Sequence, residues 1–115
     1  MELDKKHCVP CEGQSKPLGS KEEEEMLGNL TGWDLDRKGE HTLVKTIEAK
    51  SFMDAVSLIT DIARIAEHEN HHPDIHLYYN KLKLELHTHK IKGLSENDFI
   101  LGAKIDDLLH KKNML

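Results

Sequence analysis

Histidines are concentrated in one part of this sequence. The chain has nine of them, and six lie between positions 68 and 89, namely His68, His71, His72, His76, His87 and His89. Histidine is the side chain whose unperturbed pKa, about 6.5, lets it take up or release a proton near neutral pH. Two separated imidazoles can act as the acid and the base of one reaction, so we expect the chemistry of this protein in this region.

The first group of titratable side chains lies at 67–73, where a helix is expected to end. Glu67 precedes the adjacent pair His71 and His72, and Pro73 follows the pair. Pro73 bars a continued helix and favours an extended conformation for the residue before it, and Glu67 lies one helical turn before His71, on the same side. The arrangement suits acid–base catalysis. A histidine pair is also favourable at a helix end simply because the dipole is negative there.

The second group lies at a strand end and at the start of the next helix. Thr88 and His89 end a predicted strand, and Asp98 follows in the first turn of the last helix. Asp98 stands three residues after Ser95, which is also the spacing of a helix-capping carboxylate. His87 and His89 alternate with charged residues along the strand, so a solvated strand face is the alternative interpretation for both.

Metal binding is another chemistry that these residue types permit. Imidazoles are ligands for zinc, copper and nickel, and His87 and His89 lie on one strand face. The helical His-Glu-x-x-His spacing does not occur, and Cys8 and Cys11 have the spacing of a redox pair but not its strand-to-helix context. With His7 the two cysteines offer at most three zinc ligands. We predict that no metal is required.

Composition excludes several classes of protein. The chain has 115 residues, enough for one domain around one core. Its net charge of −5 lacks the positive surface that attachment to nucleic acid requires. No stretch approaches the ~20 apolar residues of a membrane span, and the N-terminus lacks the apolar core of a secretory signal. We therefore predict a cytoplasmic protein that binds neither nucleic acid nor membrane directly.

Hydrophobic periodicity predicts the elements that must position these groups. Residues 1–19 are punctuated by Cys, Pro and Gly, which favours an irregular, exposed N-terminal arm. The remainder, 20–115, is predicted to be one domain with helices starting near residues 20, 51 and 95 and strands at 33–37, 41–49, 75–79 and 81–89. The order αββαββα favours an α+β fold, a four-stranded antiparallel sheet with three helices packed on one face.

Several of these residues together resemble a known signature. The pattern Glu67-x-x-x-His71-His72-Pro73, the turn at 78–81, Thr88-His89 and the run 93–98 that ends in Asp98 are similar to the pterin-4a-carbinolamine dehydratases. The resemblance covers roughly residues 20 to 112 and agrees with the predicted order of elements. Asp74-Ile75-His76 departs from it, because an aromatic residue is frequent there in the family.

The resemblance implies an enzyme that removes water from a 4a-hydroxytetrahydropterin to give the quinonoid dihydropterin, so recycling the pterin used by aromatic amino acid hydroxylases. It implies no cofactor or metal, since the pterin is the substrate. The implied catalytic residues are His71, His72, His89 and Asp98, with Asp98 supporting His89. The implied substrate-binding residues are Glu67, Pro73, Thr88 and Trp33. For Trp33, packing at the edge of the core is the alternative.

The resemblance also implies protein partners. A homodimer or homotetramer is expected, because the sheet leaves an open face and unpaired edges. A hydroxylase or a regulatory protein is a further expected partner. Some relatives with this fold lack parts of the histidine set and serve as dimerisation, assembly or regulatory factors. A non-catalytic factor of this kind is the alternative function.

Overall fold

The computed structural model of the protein describes residues 3–9 and 16–114, and its elements follow the predicted order αββαββα. The helices are α1 (Ser20–Leu27), α2 (Phe52–Glu69) and α3 (Glu96–Lys111). The strands are β1 (Asp34–Asp36), β2 (Thr42–Glu48), β3 (Asp74–Tyr78) and β4 (Lys81–Leu86). Short 3-10 turns occupy Leu3–Lys5 and His89–Ile91. None of the described helices is long and apolar enough to cross a membrane.

The four strands form one antiparallel sheet in the order β1-β2-β4-β3, which confirms the predicted fold class. Two hairpins supply the outer pairs, and α2 carries the chain from β2 to the far edge of the sheet. The central pair places Leu43 opposite Leu86 and Ile47 opposite Leu82. Alternate residues of β4 are fully buried while their neighbours are partly exposed, as a sheet with one covered face requires.

The covered face of the sheet and the helices share one hydrophobic core. Leu84 of β4, Ile62 of α2 and Phe99 of α3 are all fully buried in it, and side chains of α1 pack at its border. Ser51 caps α2 by accepting a hydrogen bond from the Asp54 amide at 3.1 Å. This core fixes the positions of the end of α2 and the start of α3. It therefore also fixes the positions of His71 and His72, which follow α2, and of Asp98 in the first turn of α3.

Helix α1 and strand β4 differ in detail from the sequence prediction. Ser20 and Glu23 have the spacing of a capping box, which predicts Ser20 as the N-cap of α1. Gly19 is the N-cap instead, and Glu23 does not cap the helix. The Glu23 carboxylate is buried and accepts hydrogen bonds from Arg37 (3.1 Å) and His41 (2.7 Å). Strand β4 ends at residue 86, three residues earlier than predicted, because the Thr88 amide bonds to the Gly93 carbonyl (2.8 Å) and closes a short loop.

Residues 3–9, called the N-terminal segment below, pack against the domain. Leu3 is 2% exposed in the core, and Lys104 donates to the Asp4 carbonyl at 2.9 Å. The expectation of an exposed arm is therefore wrong at Leu3, because an apolar side chain here completes the core beside α3. Cys11 lies outside the described residues, so of the two cysteines only Cys8 is described.

Candidate active site

A cleft of about 420 Å³ lies where the end of α2, the loop after β4 and the N-terminal segment meet. Its volume is within the range of sites that hold small organic molecules. The lining residues come from these elements and from the first turn of α3: Cys8, Val9, Glu69, Asn70, His71, His72, His87, Thr88, His89, Lys90 and Asn97. The histidine pair and His89 therefore open into one cleft, as the catalytic hypothesis requires.

The end of α2 places the histidine pair at the cleft. Asn70 adopts a left-handed conformation (φ 52°) and its amide bonds back to the last turn of the helix, so His71 and His72 lie beyond the helix end. The sequence predicted Glu67 on the side of His71. The helical spacing does not apply, because α2 ends before His71, and Glu67 accepts a hydrogen bond from His72 Nε2. Both of these side chains are more than half exposed.

Asp98 holds His71 in place. His71 Nε2 lies 2.6 Å from Asp98 Oδ1, and the carboxylate is completely buried while the ring keeps a small exposed fraction. An ionised carboxylate can only accept, so Nε2 carries the proton and Nδ1 of a neutral ring has the free lone pair. The resemblance implied that Asp98 supports His89. In the described residues its histidine partner is instead His71.

Asp98 has a capping role at the same time. Its Oδ2 accepts the Ser95 amide (2.9 Å), as a residue in the first turn of α3 can, and the Thr88 hydroxyl (2.8 Å). Both interpretations of this carboxylate are therefore compatible, since one oxygen faces His71 and the other faces the helix start. Three donors to one buried carboxylate fix its orientation.

His87 and His89 line the cleft from the chain that follows the end of β4. The ring centroids of the two histidines are 4.1 Å apart in an edge-to-face arrangement. His87 is mostly buried and its Nε2 donates to Asp74 Oδ2 at 3.0 Å. His89 begins the 3-10 turn and is exposed. The solvated strand face predicted as the alternative thus fits His89 but not His87.

The N-terminal segment forms a wall of the cleft that the sequence did not reveal. The Cys8 amide donates to Glu69 Oε1 at 2.8 Å. Val9 exchanges two hydrogen bonds with Asn97, its amide donating to Oδ1 (3.0 Å) and its carbonyl accepting from Nδ2 (2.6 Å). Asn97 and Glu69 are both buried. Because the bonded residues are more than 60 positions apart in the chain, no local pattern could have indicated them.

Glu69 makes the attachment of this segment depend on pH. Burial alone raises the pKa of its carboxyl, but the Cys8 amide, His7 and Lys104 together lower it below its usual value. A lowered pKa means that Glu69 stabilises the fold above the unfolded pKa, near 4.5, and loses this contribution as pH falls through the folded value. We expect the free energy of unfolding of the native chain to exceed that of Glu69→Gln at pH 7 and the difference to shrink towards pH 3.

Urea unfolding of both chains across this range measures the difference. Glu96→Gln is the matched control, because Glu96 pairs with Lys6 at 3.2 Å but is 43% exposed. Its effect should be small at every pH, since exposed pairs contribute little. A Glu69→Gln difference that grows as the solution becomes more acidic contradicts the prediction.

The structure does not bring every predicted residue to the cleft. Thr88 lines it and is held by Asp98. Pro73 turns the chain into β3 without being among the lining residues, and Glu67 reaches the cleft only through His72. Trp33 is buried in the core, where its indole donates to Asp106 at 2.8 Å. Its expected role in binding the substrate is therefore not supported by its position.

Two groups of described side chains can offer three ligand atoms to a metal ion. One group is Glu40, His87 and His89, whose two histidines line the cleft, and the other is His7, His68 and Glu69. In each group the ligand atoms lie within 4.8 Å of one another. In the second group both oxygens of Glu69 already accept hydrogen bonds, and Lys104 Nζ lies 3.6 Å from one of them.

The arrangement can support proton transfer to and from a small bound molecule. His71 has a fixed tautomer and a buried counter-ion, whereas His89 is exposed and packs edge-to-face on His87. Two imidazoles in one cleft can donate and accept protons in the same catalytic cycle. Fold and site together therefore define an α+β protein with a histidine-lined cleft.

Comparison with known proteins identifies the family. The sequence model described as pterin 4 alpha carbinolamine dehydratase matches residues 16–108. A curated protein of Halorhodospira halophila, provisionally named pterin-4-alpha-carbinolamine dehydratase, is 42% identical over 108 residues, which cover 94% of this chain and 98% of the relative. Pterin-4-alpha-carbinolamine dehydratase 2, mitochondrial, of Arabidopsis thaliana is 40% identical over 98% of this chain and 65% of its own length.

A solved structure agrees with the sequence matches. The transcriptional coactivator/pterin dehydratase of Brucella melitensis superposes with a TM-score of 0.75 at 28% identity, covering 81% of this chain and 98% of the other. The chain belongs to the pterin 4 alpha carbinolamine dehydratase family. The matched range begins at residue 16, so the N-terminal segment that lines the cleft lies outside it.

Proposed function

We propose that this protein catalyses the dehydration of 4a-hydroxytetrahydrobiopterin to quinonoid dihydropterin and water. The observation that carries the proposal is the convergence of His71, His72 and His89 on one cleft of about 420 Å³ in a chain of this family. A bicyclic pterin fits a site of this size.

The chemistry needs two proton transfers. The bond between C4a and the hydroxyl oxygen breaks with its electron pair, and hydroxide is a poor leaving group unless one imidazole protonates it to water. A ring nitrogen of the pterin loses a proton as the new double bond forms, and the other imidazole accepts it. The two protons balance, so the enzyme returns to its starting state after exchange with solvent, and no electron carrier is consumed.

The residues have distinct parts in this proposal. His71 and His89 transfer the protons, and Asp98 orients His71 and stabilises it when it is charged. His72 lies at the rim of the cleft, where with Glu67 it binds and orients the substrate. Thr88 contributes to the wall between His87 and His89 and fixes Asp98. The buried Asp98 carboxylate accepts hydrogen bonds from three donors through its two oxygens, which supports its assignment as a positioning residue.

The purified protein tests the proposal when it is mixed with freshly generated 4a-hydroxytetrahydropterin and the ultraviolet absorbance is followed. We expect conversion to the quinonoid product to be faster than the spontaneous decay in buffer, and equally fast after treatment with a chelator. Decay at the rate of buffer alone would overturn the enzyme function. Activity that disappears with chelator would show that a metal takes part.

The proposal includes the setting of the reaction. The product is a dihydropterin that must be reduced before an aromatic amino acid hydroxylase can use it again. We therefore propose that the enzyme acts together with such a hydroxylase in the cytoplasm. We also propose that copies of the chain associate, because β1 and β3 are edge strands with unpaired backbone groups. The molar mass in solution, measured by light scattering, distinguishes a dimer or tetramer from a monomer.

A further inference from the structure

One buried ring nitrogen of the cleft-lining residue His87 has no hydrogen-bond partner among the described residues. Nδ1 of His87 is inaccessible to solvent and makes no hydrogen bond within the described part of the chain. Buried polar atoms are almost always paired, so an unpaired one indicates a missing water, ion or ligand. The proposed dehydration does not use His87, and its nitrogen therefore needs a separate explanation.

The tautomer of His87 makes this nitrogen a ligand atom. Nε2 lies 3.0 Å from Asp74 Oδ2, and since the carboxylate only accepts, Nε2 carries the proton of the neutral ring. Nδ1 is then left with a free lone pair. Metal-binding histidines characteristically donate their other ring N–H to a carboxylate, which fixes the tautomer and strengthens the ligand. Asp74 and His87 have this relationship.

Two further ligands already lie close to Nδ1. Glu40 Oε2 is 4.0 Å away, and a ring nitrogen of His89 is within 4.8 Å of both other ligand atoms. Tetrahedral zinc with bonds of about 2.0–2.1 Å spaces its ligand atoms at roughly 3.3 Å. Glu40 is 48% exposed and His89 is on the surface, so small side-chain rotations bring all three to this spacing.

We propose that Glu40, His87 and His89, called the His87 site below, bind a divalent transition metal ion such as Zn²⁺. Two imidazoles and one carboxylate are a ligand set that zinc accepts in proteins, and the carboxylates of Glu40 and Asp74 offset the charge of the ion. Three protein ligands leave a fourth position open to the cleft. Because His89 is shared, the ion withdraws it from proton transfer and inhibits the proposed dehydration reversibly.

Titration of the metal-free protein with Zn²⁺ in a calorimeter tests the binding. We expect one ion per chain at micromolar concentration and no heat from Mg²⁺, which prefers oxygen ligands. Glu40→Gln and His87→Ala should each weaken zinc binding strongly. Asp74→Asn should weaken it about 10–100-fold while both ligand histidines remain, as expected for a residue that acts through a ligand.

His68→Ala is the matched control, because His68 belongs to the other candidate group. Its zinc affinity should equal that of the native chain. Unchanged affinity in both Glu40→Gln and His87→Ala overturns the proposal, and so does loss of affinity in His68→Ala alone. Thermal unfolding of each variant shows whether it is folded, and Glu40→Gln keeps the test valid because it alters an exposed side chain.

Inhibition is the second measurement, and it alone rests on the proposed function. Zn²⁺ should inhibit dehydration by the native chain, excess chelator should restore the rate, and Glu40→Gln should keep the basal rate while losing the inhibition. Inhibition that Glu40→Gln retains overturns the coupling of the His87 site to catalysis. A chain that binds zinc at this site but shows no dehydration contradicts the enzyme function and leaves the metal site standing.

Discussion

Replacing His89 or His71 with alanine is expected to lower kcat for dehydration by about 10²–10⁴-fold, the usual contribution of one acid–base group. Each variant loses one of the two proton transfers, and water at pH 7 is a poor substitute for either. The fold should persist in both, because His89 is exposed and His71 lies beyond the end of α2. Steady-state kinetics with 4a-hydroxytetrahydropterin, followed in the ultraviolet, give the rates.

His76→Ala is the matched control for these two variants. His76 belongs to the same histidine-rich region, but its ring pairs with Glu85 at 2.6 Å and is not among the residues that line the cleft. Its kcat should stay near that of the native chain. Near-native rates in both His71→Ala and His89→Ala would show that the catalytic assignment is wrong, whatever the control does.

The two catalytic variants should differ in stability. His71→Ala removes one of the three donors to the buried Asp98 carboxylate, whereas His89→Ala removes none of the three. Leaving a buried charge with fewer partners costs more than removing an exposed ring. A lower melting temperature for His71→Ala than for His89→Ala therefore separates the two roles independently of the rates.

Much of the fold follows from local patterns. Two of these patterns involve only neighbouring residues: apolar side chains recur at every third or fourth position of α2, and they alternate along β4. The sequence therefore predicts both elements. The α3 cap is also local, since Ser95 and Asp98 are three residues apart. Strand β4 was predicted too long because the loop that Thr88 and Gly93 close is not marked by a change of period.

The site was less accessible to prediction than the fold. The family resemblance indicated His71, His72, His89 and Asp98, and the cleft contains the three histidines together, but it gave Asp98 the wrong partner. His71 and Asp98 are 27 positions apart, and which of two histidines meets the carboxylate depends on how α2 packs on α3. Such pairings are set by the tertiary structure and leave no periodic signal.

Trp33 is a residue for which the family resemblance and the physical chemistry of the side chain give different predictions. The family resemblance implies that Trp33 binds the substrate, whereas the properties of an indole side chain favour packing at the edge of the core. The structure agrees with the physical reading, because the ring is 5% exposed and its N–H is satisfied by Asp106. The network around that carboxylate then becomes a determinant of stability rather than of binding.

Replacing Asp106 with alanine is expected to destabilise the fold by about 3–5 kcal/mol, because it leaves a buried charge without its partner. Asp106 accepts hydrogen bonds from the Thr31 amide (2.8 Å), the Trp33 indole (2.8 Å) and the Lys45 ammonium (3.0 Å), and Lys45 is only 5% exposed. Urea unfolding measures the loss.

Asp107→Ala is the matched control, since Asp107 is 47% exposed and pairs with Lys111 one turn away, so its effect should stay within about 0.5 kcal/mol. Equal losses of unfolding free energy in the two variants would contradict a stabilising role for the Asp106 network. A double variant tests the part that charge plays. Adding Lys45→Met to Asp106→Leu should recover much of the stability that Asp106→Leu loses, because no unpaired buried ion remains.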